Sequence, residues 1–175
     1  MNQRINLKKM VLTALFTALT CVATTLIKIE MPATQGYLNI GDCFVLLGAW
    51  VLGPIYGAFA GGVGSALADL LAGYPHYIVG TLIIKALMAV IAALAYQALG
   101  KKHGYLGRLV GGVLAELWMV LGYFLYAMLI LGKGIAAATS VPGNLLQGAV
   151  GIVAALALIV ALRESRTLDK VSANG

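Results

Sequence analysis

The sequence predicts an all-α membrane protein with six transmembrane helices, a short second helix, and both the N- and C-termini in the cytoplasm. Three observations carry this expectation. Hydrophobic residues make up 61% of the chain and charged ones only 10%, against about 25% charged in soluble domains, and the mean hydropathy is +0.95. The apolar residues fall into runs separated by short polar or glycine-rich joints. The basic residues gather at those run ends that share one side of a membrane. With 175 residues and no polar stretch long enough to fold alone, residues 1–175 read as a single integral membrane domain.

In chain order, Lys8 and Lys9 precede a first apolar run over residues 10–27. Its length, and the runs behind it, read as a retained span rather than a signal peptide. Further runs cover 43–52, 55–72, 78–99, 109–131 and 141–162. The second is the short one: as a helix it reaches about 15 Å, where the hydrocarbon core needs about 30 Å. Gly53-Pro54 ends it, and a residue before proline is pushed out of the helical region, so the chain either turns back as a hairpin or continues as a kinked single span. Charge decides. With six spans and the N-terminus inside, Arg4, Lys8, Lys9, Lys101, Lys102, Arg108, Arg163, Arg166 and Lys170 are cytoplasmic and only Lys28 and Lys133 are outside, nine against two. Five spans would give four inside and seven outside, contrary to the positive-inside rule. The net charge of +6 is then a cytoplasmic girdle facing anionic headgroups, and no nucleic-acid partner is implied.

This topology places the polar residues by depth, at about 1.5 Å per residue. Lys85 lies about 9 Å below the outer end of the fourth span, and Asp69 about 6 Å below the outer end of the third. Asn144 and Gln147 fall at comparable depth on the last span. Tyr123 and Tyr126, in the outer half of the fifth, belong to the same layer, with Tyr77 and His76 capping it from the loop between the third and fourth spans. The first external loop, KIEMPATQGYLNIGD, brings Tyr37, Asn39 and Asp42 and is long enough to fold over the opening. Ionisable groups within spans cost at least about 2.5 kcal/mol and usually face a cavity or a partner. Two readings of Lys85 follow: an interior ion pair with Asp69 that fixes a helical hairpin, or a group of a solute site. Glu116, deeper on the fifth span, is either the floor of such a pocket or a packing residue.

Several chemistries are absent from the sequence. There is no G-x-x-x-x-G-K-[ST] phosphate loop, no H-E-x-x-H and no paired cysteines, so neither ATP hydrolysis nor a metal site is encoded, and no cofactor or catalytic residue is assigned. Cys21 and Cys43 read as small apolar helix residues. A channel would need a polar stripe through the full thickness; a membrane enzyme would need Asp69 and Glu116 at one depth rather than two. Small residues repeat every four positions as Gly57, Gly61 and Ser65, and as Ala14 and Ala18. Such stripes let helices approach closely, within the chain or against a partner.

The pattern LTALFTALT with Ala14 and Ala18, the stretch YLNIGDCFVLLGAWVLGPIYGAFAGGVGSALADLLAGY and the basic-flanked six-span layout resemble the S components of energy-coupling factor (ECF) vitamin transporters. The likeness covers nearly the whole chain. It implies a substrate-binding subunit, not an enzyme, in a prokaryotic plasma membrane. This subunit would bind a vitamin from outside and topple to release it inward. It also implies partnership with a transmembrane scaffold subunit, faced by Ala14 and Ala18, and with two cytoplasmic ATPases. Among subfamilies the second stretch is most similar to those for hydroxymethylpyrimidine or vitamin B6, with a riboflavin type next.

Overall fold

The computed structural model describes residues 7–31, 36–100 and 104–164. Six α-helices follow one another along the chain: α1 (Leu7–Leu26), α2 (Asp42–Leu52), α3 (Pro54–Ala72), α4 (Ile78–Gly100), α5 (Gly104–Leu125) and α6 (Val141–Glu164). A 3-10 turn at Pro75–Tyr77 leads into α4, a π-helical turn at Tyr126–Ile130 extends α5, and a 3-10 segment at Gly134–Ser140 leads into α6. Five of the helices are long and apolar enough to cross a membrane; α2 is not. The loop after α1 forms an antiparallel hairpin of β1 (Lys28–Met31) and β2 (Gly36–Asn39), in the register Lys28↔Asn39 and Glu30↔Tyr37.

The expected break at Gly53-Pro54 is a hairpin, not a kinked span. Gly53 adopts φ 84° and ψ −177°, a conformation open to glycine and strained for other residues. Pro54 then starts α3 at its first turn, where the missing N–H costs nothing. Beyond the turn, Gly57 lies against the backbone of Ala49 and Gly61 against Val45. Rising numbers on α3 meet falling numbers on α2, so the two helices run antiparallel. A Cβ at Gly57 would stand 2.8 Å from Ala49 Cα, so the small-residue stripe of α3 is internal packing. Ser65, the third member of that stripe, is buried as well.

A helix of 11 residues measures about 16 Å and cannot satisfy a bilayer from one side to the other. The fold resolves this by covering α2 with protein. Nine of its residues are buried, and it packs on α1, α3, α4 and α6. A helix that is apolar all round belongs inside a bundle, and irregular backbone at membrane depth is tolerated where protein surrounds it. One apolar cluster joins Leu46, Ala49 and Trp50 of α2 to Met88 and Ala92 of α4, Met119 of α5 and Leu156 of α6. The outside of the bundle is the reverse, with Leu15, Val22, Leu71, Val79 and Val153 exposed, as a lipid-facing surface requires.

Of the basic residues that fixed the topology, Arg4, Lys101, Lys102, Arg166 and Lys170 lie outside the described residues. Arg108 sits at the start of α5, donating to Gly104 O at 3.0 Å and to Tyr96 Oη at 2.7 Å. In a background with Cys21 and Cys43 replaced by alanine, Gly104→Cys should react with a membrane-impermeant maleimide only after cells are opened. Ala136→Cys, in the exposed segment before α6, should react in intact cells. The opposite pattern would invert the bundle and place its polar layer on the cytoplasmic side.

Candidate functional site

The site starts at the N-terminus of α2. Asn39 Oδ1 accepts from Gly41 N at 2.8 Å, a local turn of the kind asparagine favours, and the helix begins three residues after Asn39. Asp42 is thus the first helical residue, where the helix dipole favours a negative charge. It is also 1% exposed, because α2 starts inside the bundle and not at its surface. A carboxylate taken that far from water needs partners. Asp42 Oδ1 forms an ion pair with the Lys85 ammonium of α4, and Oδ2 accepts from Gln147 Nε2 of α6 at 2.7 Å. Three distant stretches of chain are tied together by this one side chain.

The pairing corrects one of the two readings of Lys85, the interior ion pair with Asp69. Asp69 on α3 instead accepts from the Tyr37 hydroxyl at 2.8 Å through Oδ1, while its Oδ2 has no hydrogen-bond partner among the described residues. Burial, and then the neighbouring Asp69 carboxyl, push the Tyr37 phenol well above its ordinary pKa. It therefore remains a donor at any physiological pH. Asp42 had been assigned to the external loop; in the fold it is a buried helix start.

Between these groups lies a cavity open on one side. Among the residues singled out in the sequence, Lys85, Asp69, Asn144, Gln147, Tyr123, Tyr77 and Asn39 form its wall. Asn39 is held to the site by its backbone N–H, which donates to Gln147 Oε1 at 2.8 Å. The Tyr123 hydroxyl donates to Thr81 Oγ1 at 3.0 Å, and the Lys85 ammonium stands 5.5 Å from the centre of the Tyr123 ring. The layer inferred from helix depth is therefore one contiguous surface.

Four singled-out residues do not reach the wall. Asp42 lies beneath it, behind Lys85 and Gln147. Glu116 is not the floor: it is buried behind Asp42 against Gly148 and Gly151, where an added Cβ would come within 3.0 Å of it. Neither of its carboxyl oxygens has a hydrogen-bond partner among the described residues. Tyr126 packs its ring on Gly80 and donates to the His76 carbonyl at 2.8 Å, a contact that ties α5 to the loop before α4. The His76 ring is exposed, 4.8 Å from the Tyr77 ring and 6.1 Å from Tyr74. At the mouth, Lys28 stands 6.0 Å over Tyr37 and 5.9 Å over Tyr74.

The wall also contains Thr24, Tyr37, Ser65, Thr81 and Ser140, which sequence reasoning did not place there. A signal existed for three of them. Ser65, Thr81 and Ser140 each stand four residues before a wall residue, Asp69, Lys85 and Asn144 respectively, and i,i+4 positions share a helix face. Tyr37 was visible only as a loop residue, and Thr24 as an ordinary threonine of the first span.

Comparison with known proteins bears on what such a cavity serves. Residues 4–164 match the family model for the ECF-type riboflavin transporter, S component. The chain is 43% identical over 133 residues to an uncharacterized protein of Pyrococcus woesei, covering 75% of this chain and 86% of that one. It is 33% identical over 154 residues to the thiamine precursor transporter HmpT of Lactococcus lactis, covering 87% of this chain and 86% of the relative. A solved S component of a bacterial ECF transporter shares the fold, with a TM-score of 0.68 at 21% identity, over 90% of this chain and 96% of that one. The chain belongs to the S components of ECF-type transporters, the multi-pass membrane subunits that carry vitamin specificity, and is a transport protein rather than an enzyme.

Proposed function

We propose that this S component binds a small ring-containing vitamin or vitamin precursor, of the hydroxymethylpyrimidine or pyridoxine/pyridoxamine type, from the outer side of a prokaryotic plasma membrane. The observation that carries the reading is the mixed wall of the cavity. Tyrosine rings supply stacking surface, and a few directed polar groups, on Asp69, Lys85 and Asn144, supply orientation. The relative named as a thiamine precursor transporter supports a pyrimidine. The description of the matching family model supports a second reading, riboflavin. Mass spectrometry of small molecules released from the purified protein, after expression in rich medium, separates the two. A pyrimidine or pyridine is expected; a flavin would move the assignment to riboflavin, and release of no vitamin would count against a high-affinity solute site.

Uptake requires energy that this chain does not encode, so the working complex includes a scaffold subunit and two cytoplasmic ATPases. The face offered to the scaffold is the outer side of α1, where Val11, Ala14, Leu15, Ala18 and Val22 are exposed while Thr13, Phe16 and Thr20 face inward. Small residues amid this apolar face permit close helix approach. Replacing Ala14 and Ala18 together by tryptophan should abolish uptake by the assembled transporter and leave vitamin binding by the isolated subunit intact. Loss of binding in the isolated double variant would show instead that this face supports the fold.

The role of Lys85 is separable from its pairing. Lys85→Met alone leaves Asp42 buried without its cation, and breaking a buried pair costs about 3–5 kcal/mol; expression and melting temperature in detergent should fall. Lys85→Met combined with Asp42→Asn removes the stranded charge, keeps an acceptor for Gln147 and should recover stability. Vitamin binding by this double variant should stay about tenfold or more weaker, the worth of a lost charged hydrogen bond. Wild-type affinity in the double variant would make the pair purely structural.

A further inference from the structure

We infer that Asp69 makes the cavity selective for rings that present an N–H donor edge over otherwise identical rings that present an acceptor-only oxygen there. The inference rests on reading the cavity as the site of a small ring solute and says which edge of that ring is recognised.

The argument is an account of which wall groups remain available. The Lys85 ammonium is paired with Asp42, so its charge is answered inside the protein. Gln147 is engaged at both ends of its amide, by Asp42 and by the Asn39 backbone. The hydroxyl protons of Tyr37 and Tyr123 are given to Asp69 and Thr81. Lys85 keeps N–H donors beyond the one given to Asp42, whereas Asp69 is the charged acceptor among these groups that keeps an unmet valence. It is 5% exposed and forms part of the wall, yet its Oδ2 has no hydrogen-bond partner among the described residues.

An unpaired carboxylate oxygen sheltered from solvent is costly, and a solute N–H placed against it recovers that cost as a charge-assisted hydrogen bond. An oxygen lone pair in the same place repels it. Such a difference discriminates strongly, because the wrong solute leaves a buried polar group unanswered. The other groups facing Asp69 are the Thr81 hydroxyl, whose own proton is free because Tyr123 donates to it, Lys85, held by Asp42, and His76 at the exposed mouth; a carboxylate has acceptor sites for more than the Tyr37 and Thr81 hydroxyls, and Oδ2 has no geometrically formed bond to any of them. The Asn144 amide on the same wall offers both a donor and an acceptor, so it orients a ring without choosing between these edges.

Titration calorimetry on the purified full chain in detergent tests this with two matched pairs. The first is 4-amino-5-hydroxymethyl-2-methylpyrimidine against its 4-methoxy counterpart; the second is pyridoxamine against 4′-O-methylpyridoxine, so that the oxygen in each pair carries no proton to donate. In at least one pair the amino member should bind about tenfold or more tighter. Asp69→Asn, checked for folding by its melting curve, should bring that ratio close to one. The wild-type comparison needs no variant, so a poorly folding Asp69→Asn does not block the test. Equal binding of both members by the wild type, or preference for the oxygen-bearing ones, overturns the inference while leaving the ring-solute reading in place. A folded Asp69→Asn that keeps the amino preference overturns it too. If the wild type binds none of the four rings, the ring-solute reading itself fails and this inference with it.

Discussion

The ion pair between Lys85 and Asp42 is the constraint on which the rest depends. Neither charge is tolerable alone where it lies, with Lys85 at 2% and Asp42 at 1% exposure. Insertion of either into hydrocarbon costs at least about 2.5 kcal/mol on the most lenient scales. Bringing them together requires α2 to begin inside the bundle, beside α4, with Gln147 of α6 closing the second oxygen of Asp42. That starting point dictates the short helix, and the short helix dictates the turn at Gly53. From there α3 is obliged to run back along α2, at a distance only glycine allows at Gly57.

This arrangement separates two jobs that a polar residue in a membrane can have. Asp42 acts inwards: its partners are all protein, and it fixes helix positions. Asp69 is held by one bond from Tyr37 and leaves one oxygen open. Lys85 belongs to both sets, bonded to Asp42 below and standing in the cavity wall with the Tyr123 ring beside it. A site built this way is preorganised, since the bonds that hold the wall in place are made within the protein before a solute arrives. Gln147 links the frame to the hairpin strand β2 through the Asn39 backbone. The outermost wall is thereby carried by the loop and the deepest by helices.

The glycines of α5 and α6 show how closely the lower half is fitted. Gly111 approaches the Ala92 carbonyl, and Gly148 and Gly151 leave the room that Glu116 occupies behind Asp42. A side chain at either of the latter would meet Glu116 or Asp42 atoms at about 3.0 Å. Interiors packed to this density respond to volume changes as small as a methyl group. The apolar cluster around Met88 and Met119 thus supports the polar layer as a rigid base, not as an oil-like filling.

The sequence by itself determined the class, the number of helices and the layer. Composition, run lengths and the placement of lysine and arginine suffice, because the bilayer imposes thickness and charge asymmetry on any chain that crosses it. Depth alone then gathered Lys85, Asp69, Asn144, Gln147 and Tyr123 into one plane. Tertiary structure decided what depth cannot. Two carboxylates, Asp42 and Asp69, were available to Lys85, and the choice turned on the rotation of each helix about its axis and on a helix start hidden inside the bundle. Glu116 shares a face of α5 with Tyr123 by spacing, yet packing against α6 placed it behind the wall. The hydroxyls of Thr24, Ser65, Thr81 and Ser140 carry no charge to mark them, and the i,i+4 spacing of the last three to wall residues took on meaning once the cavity was formed. Depth is a one-dimensional property written along the chain, whereas partner choice depends on distances between segments up to 108 residues apart, which packing alone sets.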